Sequence, residues 1–200
     1  MTNTLTTPKK LLRKTLLSAR ESLLPAVRKA AEQTISELLH QHAEKESWKS
    51  VAVFLPWRAE PDLTALWRAW SAQGIALALP VVAEESAPLL MCKWQPGEQL
   101  VSDLMGLKVP MAQDQIDCDV WLIPCVGIDA NGRRLGAGKG FYDRTLSDVQ
   151  TKIDAGSLNK PPKLIGVCFD LARTKADFAE PHDLMVNACV TETGWHEFKA

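Results

Sequence analysis

Val120-Trp121-Leu122-Ile123-Pro124-Cys125-Val126 runs directly into Gly127-Ile128-Asp129-Ala130-Asn131-Gly132-Arg133-Arg134-Leu135-Gly136-Ala137-Gly138-Lys139-Gly140-Phe141-Tyr142-Asp143-Arg144. The first seven residues form an apolar run of strand length and read as a buried strand. Residues 141–149 carry no Gly or Pro and read as the start of a helix. Between them fall five of the chain's 11 glycines. Strand, glycine loop and helix, in that order, aim main-chain N–H groups at an anion. The glycines let the backbone approach that anion closely and take positive φ without a Cβ clash. Arg133, Arg134, Lys139 and Arg144 add four cations. The simplest reading is a phosphate site; a solvated surface loop is the alternative.

The loop fits neither common phosphate motif. GxxxxGK[ST] requires a glycine where Arg133 stands and a hydroxyl residue where Gly140 stands. GxGxxG is also not matched, because after Gly136 and Gly138 the third glycine, Gly140, comes one residue early.

On either side the pattern alternates. Residues 8–21 read as a basic helix in which Lys9, Arg13 and Arg20 fall within about 40° of one another, a stripe that could meet a polyphosphate or simply be solvated. This segment, rich in Thr and Ser and free of acids before Glu21, also fits a mitochondrial transit peptide. Residues 1–7 read as a flexible arm. Ser22 is placed to cap a second helix with Pro25 in its first turn, a stripe of Val27, Ala31, Ile35, Leu38, Leu39 and His42, and an end near Glu46. A strand over 51–55, a loop over 56–62 carrying Trp57 and Glu60, a helix over 63–72 stopped by Gly74, and a strand over 75–79 ended by Pro80 follow. Residues 89–94 read as a strand. After the central helix come a strand over 164–169, a short helix over 171–180, a turn at Pro181-His182-Asp183 and a last, edge strand over 184–190. Such alternation argues for an α/β fold with a mostly parallel sheet in one domain over 1–200.

Composition excludes several classes. A net charge of −1 gives no overall field for nucleic acid, although seven of the cations fall in residues 1–30 against Glu21 alone. No run is long and apolar enough for a membrane span. The five cysteines show no CxxC and read as reduced core residues of a cytoplasmic protein. No Ser-His-Asp or Cys-His pair points to a covalent hydrolase. Asp143 and Asp183, both after the sheet's loops, could hold Mg2+ or serve as caps and turn residues. Glu60 could bind a ligand at a strand's carboxyl end or be solvated, and Trp57 beside it could flank a flat aromatic ligand.

The longer string Pro124-x-x-Gly127-x-Asp129-x-x-Gly132-x-Arg134-Leu135-Gly136-x-Gly138-x-Gly140-x-Tyr142-Asp143-Arg144 resembles the signature of the 5-formyltetrahydrofolate cyclo-ligase family, and the resemblance spans most of the chain. It implies a three-layer α/β fold like that of the ribose-phosphate isomerase and coenzyme A transferase group. It implies that Lys9 and Arg13 bind ATP together with Arg134, Leu135, Gly136, Ala137, Gly138, Lys139, Gly140, Phe141, Tyr142 and Asp143. Lys139 and Arg134 would be catalytic, Leu55, Trp57, Glu60 and Tyr142 would hold the folate, and Asp143 and Asp183 would hold Mg2+. The implied partners are 5-formyltetrahydrofolate and ATP, without nucleic acid or membrane, in a monomer or weak homodimer. Four positions depart from the family's pattern: Ala137 stands where some members have Arg, Phe141 where Tyr is common, Asn187 where Asp is usual, and Val109 before Pro110 where Glu is frequent. They motivate a rival reading, a folate- or nucleotide-binding regulator with weakened catalysis. A sugar-phosphate or coenzyme A enzyme is the other.

Overall fold

A computed structural model describes residues 8–158, 160–175, 178, 180 and 183–198. The arm at 1–7 and the Pro181-His182 part of the expected turn lie outside the described residues. Helix α1 (Pro8–Glu21) and helix α2 (Pro25–Glu46) precede β1 (Ser50–Ala52), α3 (Thr64–Ala72) and β2 (Ala76–Val81). Strands β3 (Leu90–Trp94), β4 (Leu100–Ser102) and β5 (Lys108–Pro110) follow. The central stretch supplies β6 (Val120–Pro124), β7 (Gly127–Ile128), β8 (Arg134–Leu135) and α4 (Phe141–Asp154). The chain continues through β9 (Lys163–Val167), β10 (Ala188–Thr191) and β11 (Gly194–Glu197).

Seven strands form one sheet in the order β11-β10-β9-β6-β1-β2-β3. The five inner strands run parallel, and each edge is closed by an antiparallel neighbour, β3 on β2 and β11 on β10. Period-2 alternation sends Val51, Leu77, Leu79, Val120, Leu122, Ile165, Val167 and Val190 to one face, where Ala31, Ile35 and Leu39 of α2 and Trp67 and Trp70 of α3 cover them. Trp121, Ile123, Leu164 and Cys189 face the other way, toward Val149 of α4. Helices thus lie on both faces, as a parallel sheet requires. Fully buried side chains such as Ile35, Leu39 and Trp67 each stabilise the fold by about 1.5–3 kcal/mol through apolar burial.

The crossover β1-α3-β2 steps one way across the sheet and β6-α4-β9 steps the other, with α3 and α4 on opposite faces. The strand order therefore reverses between β1 and β6. In open α/β sheets, the carboxyl ends of strands at that point frame a ligand crevice. The loop after β1 carries Trp57 and Glu60, and the segment after β6 is the glycine stretch.

Several local expectations are corrected. Ser22 does not cap α2: its Oγ donates to the Ala19 carbonyl at 2.8 Å, closing α1 instead, and Leu24 occupies the cap position with Pro25 behind it. Val27 is exposed, and the buried stripe of α2 is Ala31, Ile35, Leu39 and Ala43 at four-residue spacing. Strand β2 runs past Pro80, which pairs with Met91 of β3; β1 ends opposite Ala78, so this end of β2 is laddered on one side only. Helix α4 continues to Asp154. Of the helix expected over 171–180, the described residues form a single 3-10 turn, Asp170–Ala172, while residues 176, 177 and 179 lie outside the described residues. Strand β10 is shorter than expected and interior, because β11 forms the edge.

Candidate functional site

The glycine stretch is not one open loop. Gly127 and Ile128 pair antiparallel with Leu135 and Arg134, making a hairpin. Helix α1 lies on that hairpin, with Leu16 packed among Val126, Leu135 and Phe178. A Cβ on Gly127 would stand 2.8 Å from Leu16 Cδ1, so glycine sets how closely α1 approaches. After the hairpin, Gly138 (φ +97°) and Gly140 (φ +68°) turn the chain into α4. Gly140 occupies the N-cap position without any side-chain cap. The first-turn amides of α4 are thereby left for another acceptor, and the helix dipole favours a negative one.

Arg13 donates from Nε to the Gly136 carbonyl at 2.7 Å and lies beside Gly138. Arg134 donates from Nε to the Pro124 carbonyl at 3.0 Å and covers the Tyr142 ring at 4.9 Å. A Cβ on Gly136 would meet Arg134 Nη1 at 2.5 Å, so glycine here makes room for the curled guanidinium. Desolvation pushes the Tyr142 phenol well up, against the opposing charge of Arg134. Arg144 donates to the Lys139 and Glu85 carbonyls at 2.9 and 3.2 Å. Lys139 itself is exposed, and its side chain has no hydrogen bond or ion pair among the described residues.

The loop after β1 is built differently. Its tight turn closes with the Glu60 N–H donating to the Trp57 carbonyl and the Trp57 N–H to Glu60 Oε2, both at 3.1 Å. The two residues between, Arg58 (φ 47°) and Ala59 (φ 61°), are left-handed non-glycines, at a cost of about 1–2 kcal/mol each. Glu60 is only 9% exposed, whereas Trp57 is 44% exposed with the Arg58 guanidinium over its ring. Leu55 is half-buried against the core. Burial pushes the Glu60 carboxyl up, opposed by Arg20, the Trp57 N–H and Arg134. Arg20 does not join a solvated or polyphosphate-facing stripe. It is 2% exposed, with Nη2 3.9 Å from Glu60 Oε1. Its spacing from Arg13 placed it on the right helix face, but nothing in the sequence said that this face turns inward.

The sequence profile of the 5-formyltetrahydrofolate cyclo-ligase family matches residues 5–192. The chain belongs to that family. A 5-formyltetrahydrofolate cyclo-ligase of Mycolicibacterium smegmatis is 32% identical over an alignment of 189 positions that covers 90% of this chain and 91% of that protein. The solution structure of Aquifex aeolicus 5,10-methenyltetrahydrofolate synthetase superimposes with a TM-score of 0.79 at 25% identity, covering 96% of this chain and 93% of that one. A Mycoplasma pneumoniae 5,10-methenyltetrahydrofolate synthetase shares the fold at 22% identity, with a TM-score of 0.70 and 92% and 99% coverage. These likenesses identify an enzyme of the cyclo-ligase family.

Elsewhere in the candidate site, Lys9 donates to both oxygens of Asp183, at 2.7 and 2.9 Å, and to Glu180 at 2.8 Å. Partial burial lowers the Lys9 ammonium, but these carboxylate contacts outweigh it and the net shift is upward. The Leu184 N–H donates to Asp143 Oδ1 at 3.1 Å, so the residue next to Asp183 is tied to Asp143. Among the residues singled out in the sequence, Lys9 thus meets Asp183, Arg13 meets the glycine segment, and Arg134 meets Tyr142. Two departures from the family's pattern are structural. Asn187 Oδ1 accepts the Leu164 N–H at 2.7 Å, joining β10 to β9, and Val109 is buried beside Val81 and Cys92. A feature not anticipated is the meeting of Cys125, Cys168 and Cys189 on the α4 face. The last two sulfurs are 3.6 Å apart, and Gly166 leaves room for Cys125 and Cys189. Among the described residues no helix is long and apolar enough to cross a membrane.

Proposed function

We propose that this cyclo-ligase family member converts 5-formyltetrahydrofolate and Mg·ATP into 5,10-methenyltetrahydrofolate, ADP and phosphate. The observation that carries the reading is that a single helix, α1, touches both halves of the crevice. Arg13 holds the glycine segment at Gly136, and Arg20 stands against the Glu60 loop. A nucleotide tail on the first and a folate on the second would meet where the strand order reverses.

In the proposed reaction the formyl oxygen attacks the γ-phosphorus and ADP departs. Nitrogen 10 then adds to the activated formyl carbon. Its proton is lost and the carbon–oxygen bond breaks, so the formyl oxygen leaves with phosphate. Phosphoryl transfer asks a protein mainly for positioning and charge. The amides of residues 136–140 and the first turn of α4 supply donors, and Lys139, Arg134 and Arg13 supply charge. Trp57 offers an exposed aromatic face to the pterin, with Leu55 and Tyr142 as further folate contacts and Glu60 as an acceptor for its N–H groups.

The acidic corner suits Mg2+. Asp143 and Asp183 supply carboxylate oxygens, the residue next to Asp183 is tied to Asp143 through the Leu184 N–H, and Asp183 already seats a cation in the Lys9 ammonium. Mg2+ takes few protein carboxylates and fills its shell with phosphate oxygens and water. Asp143 and Asp183 would hold it there, and it would neutralise phosphate charge.

The test is to mix the protein with 5-formyltetrahydrofolate, ATP and Mg2+ and follow methenyl absorbance. Product that needs all three, and a turnover cut at least about 100-fold by Lys139→Ala without loss of fold, are the expected results. Thermal stabilisation by folate or ATP without product would instead favour the regulator. Phosphate-ester binding without folate preference would favour the sugar-phosphate or coenzyme A enzyme.

A further inference from the structure

Arg20 is a cation in an unusual place. It is 2% exposed and lies near the end of α1, where an arginine has no helical reason to turn inward. Burying a guanidinium is costly unless its donors are used and an anion faces it. Here Nε donates to the Arg58 carbonyl at 3.1 Å, and Nη1 reaches the Cys125 carbonyl at 3.4 Å. Nη2 is buried without a hydrogen-bond partner and stands 3.9 Å from Glu60 Oε1, an ion pair too long for a hydrogen bond. The three groups it addresses lie after the two strands between which the strand order reverses: Arg58 and Glu60 follow β1, and Cys125 follows β6.

The Arg58 carbonyl lies inside the left-handed turn. Arg58 is further fixed by its own guanidinium on Glu21 at 2.8 Å. The last turn of α1 therefore holds the strained segment twice at Arg58, through Arg20 on its carbonyl and Glu21 on its guanidinium, and faces Glu60 through Arg20. Strained non-glycine residues persist only where their surroundings determine them, and they gather at ligand clamps. The same helix contacts the glycine segment one and two turns earlier through Arg13 and Leu16.

We infer that Arg20 is a positioning residue for the folate substrate: from α1 it fixes the Trp57–Glu60 turn through the Arg58 carbonyl and stands against the Glu60 carboxylate. The inference rests on the reading of Glu60 as a folate contact. The charged groups facing Glu60 are Arg20 from α1 and Arg134 from β8, and the Trp57 N–H adds a hydrogen bond. Without Arg20 the carboxyl faces less positive charge and stays protonated to higher pH. The acid limb of kcat/KM for folate should then move upward.

The experiment compares Arg20→Met, Arg20→Lys, Glu60→Gln and the Arg20→Met/Glu60→Gln double variant by steady-state kinetics across pH, with thermal melting as a check on folding. Arg20→Met is expected to raise KM for 5-formyltetrahydrofolate about tenfold, with kcat and KM for ATP within about twofold of wild type. In the Glu60→Gln background the same substitution should add little, because the group it positions is already changed. Arg20→Lys keeps a cation without the fork, so its folate KM should be intermediate and its acid limb nearer wild type. It also decides the matter should Arg20→Met fail to fold. An unchanged folate KM in both Arg20 variants, a rise in KM for ATP instead, or full additivity with Glu60→Gln overturns the inference. A wild-type protein that makes no methenyl product refutes the underlying reading; one that turns over while the Arg20 variants match it refutes only the role of Arg20.

Discussion

Replacing Gly136 by alanine changes one hydrogen to a methyl, yet the new carbon would stand 2.5 Å from Arg134 Nη1, 3.0 Å from Cζ and 3.1 Å from Nη2. Gly136 does not have a positive φ, so the substitution adds no left-handed strain. The flexible guanidinium must yield rather than the backbone. Its displacement breaks the hydrogen bond to the Pro124 carbonyl and the stacking on Tyr142. A charge-assisted hydrogen bond contributes about 1.5–3 kcal/mol and an exposed cation–π contact about 0.5–1 kcal/mol. Solvation of the freed, half-buried arginine returns part of that, leaving a net loss of about 1–2 kcal/mol. For a 200-residue chain this lowers the melting temperature by about 2–8 °C. Turnover should suffer more, because a donor moved from a developing phosphoryl charge costs about 100-fold. The assay is kcat from methenyl absorbance beside a calorimetric melt, for Gly136→Ala, Arg134→Ala and the two combined. If Gly136→Ala acts by evicting Arg134, the double variant will be no slower than Arg134→Ala alone. Wild-type turnover in Gly136→Ala, or two independent losses that multiply in the double variant, would refute the reasoning.

Two further outcomes are expected. Lys9→Met should raise KM for ATP about tenfold with a small change in folate KM, as initial-rate titrations would read; an ATP KM equal to wild type removes Lys9 from the nucleotide site. Glu46 joins α2 to β9 through Lys163 Nζ at 2.6 and 2.8 Å and takes the Trp48 indole N–H at 2.9 Å. Partial burial raises its carboxyl, but these contacts win and the net shift is downward. Its stabilisation is therefore present above the ordinary glutamate range, about 4.3, and lost as pH falls through the lower folded value. Glu46→Gln should cost about 0.5–1 kcal/mol at neutral pH, since both partners are about one-third exposed. Melting curves should converge in acid, and a gap that persists there would count against the assignment.

The elements that could be read from sequence are those whose periodicity and punctuation agree. The apolar run of β6, the alternating strand and helix patterns around Trp67 and Trp70, and the Gly74 stop are strong local signals, and they led to a mostly parallel α/β sheet. Short pairings left no such signal. Strands β7 and β8 are two residues each, and β11 reads Gly-Trp-His-Glu, with no apolar face to mark it. Ser22 shows the limit of capping rules: its hydroxyl had two backbone ends within reach, and α1 took it. For the candidate site, the sequence pointed to the glycine segment, Glu60 and the basic helix, but only the fold brings them together, with Arg13 on Gly136 and Arg20 beside Glu60. Arg20 shows why, since its burial depends on which side of α1 meets the hairpin. That side is set by Leu16 against Gly127.

The three sulfurs on the α4 face of the sheet have a practical corollary. Cys125, Cys168 and Cys189 are each at most 1% exposed, and Cys92 and Cys118 are buried as well. A thiol-reactive dye added to the native enzyme meets none of them until the structure opens. Slow, cooperative labelling is thus an internal clock for conformational opening, and any ligand that tightens the native state will slow it.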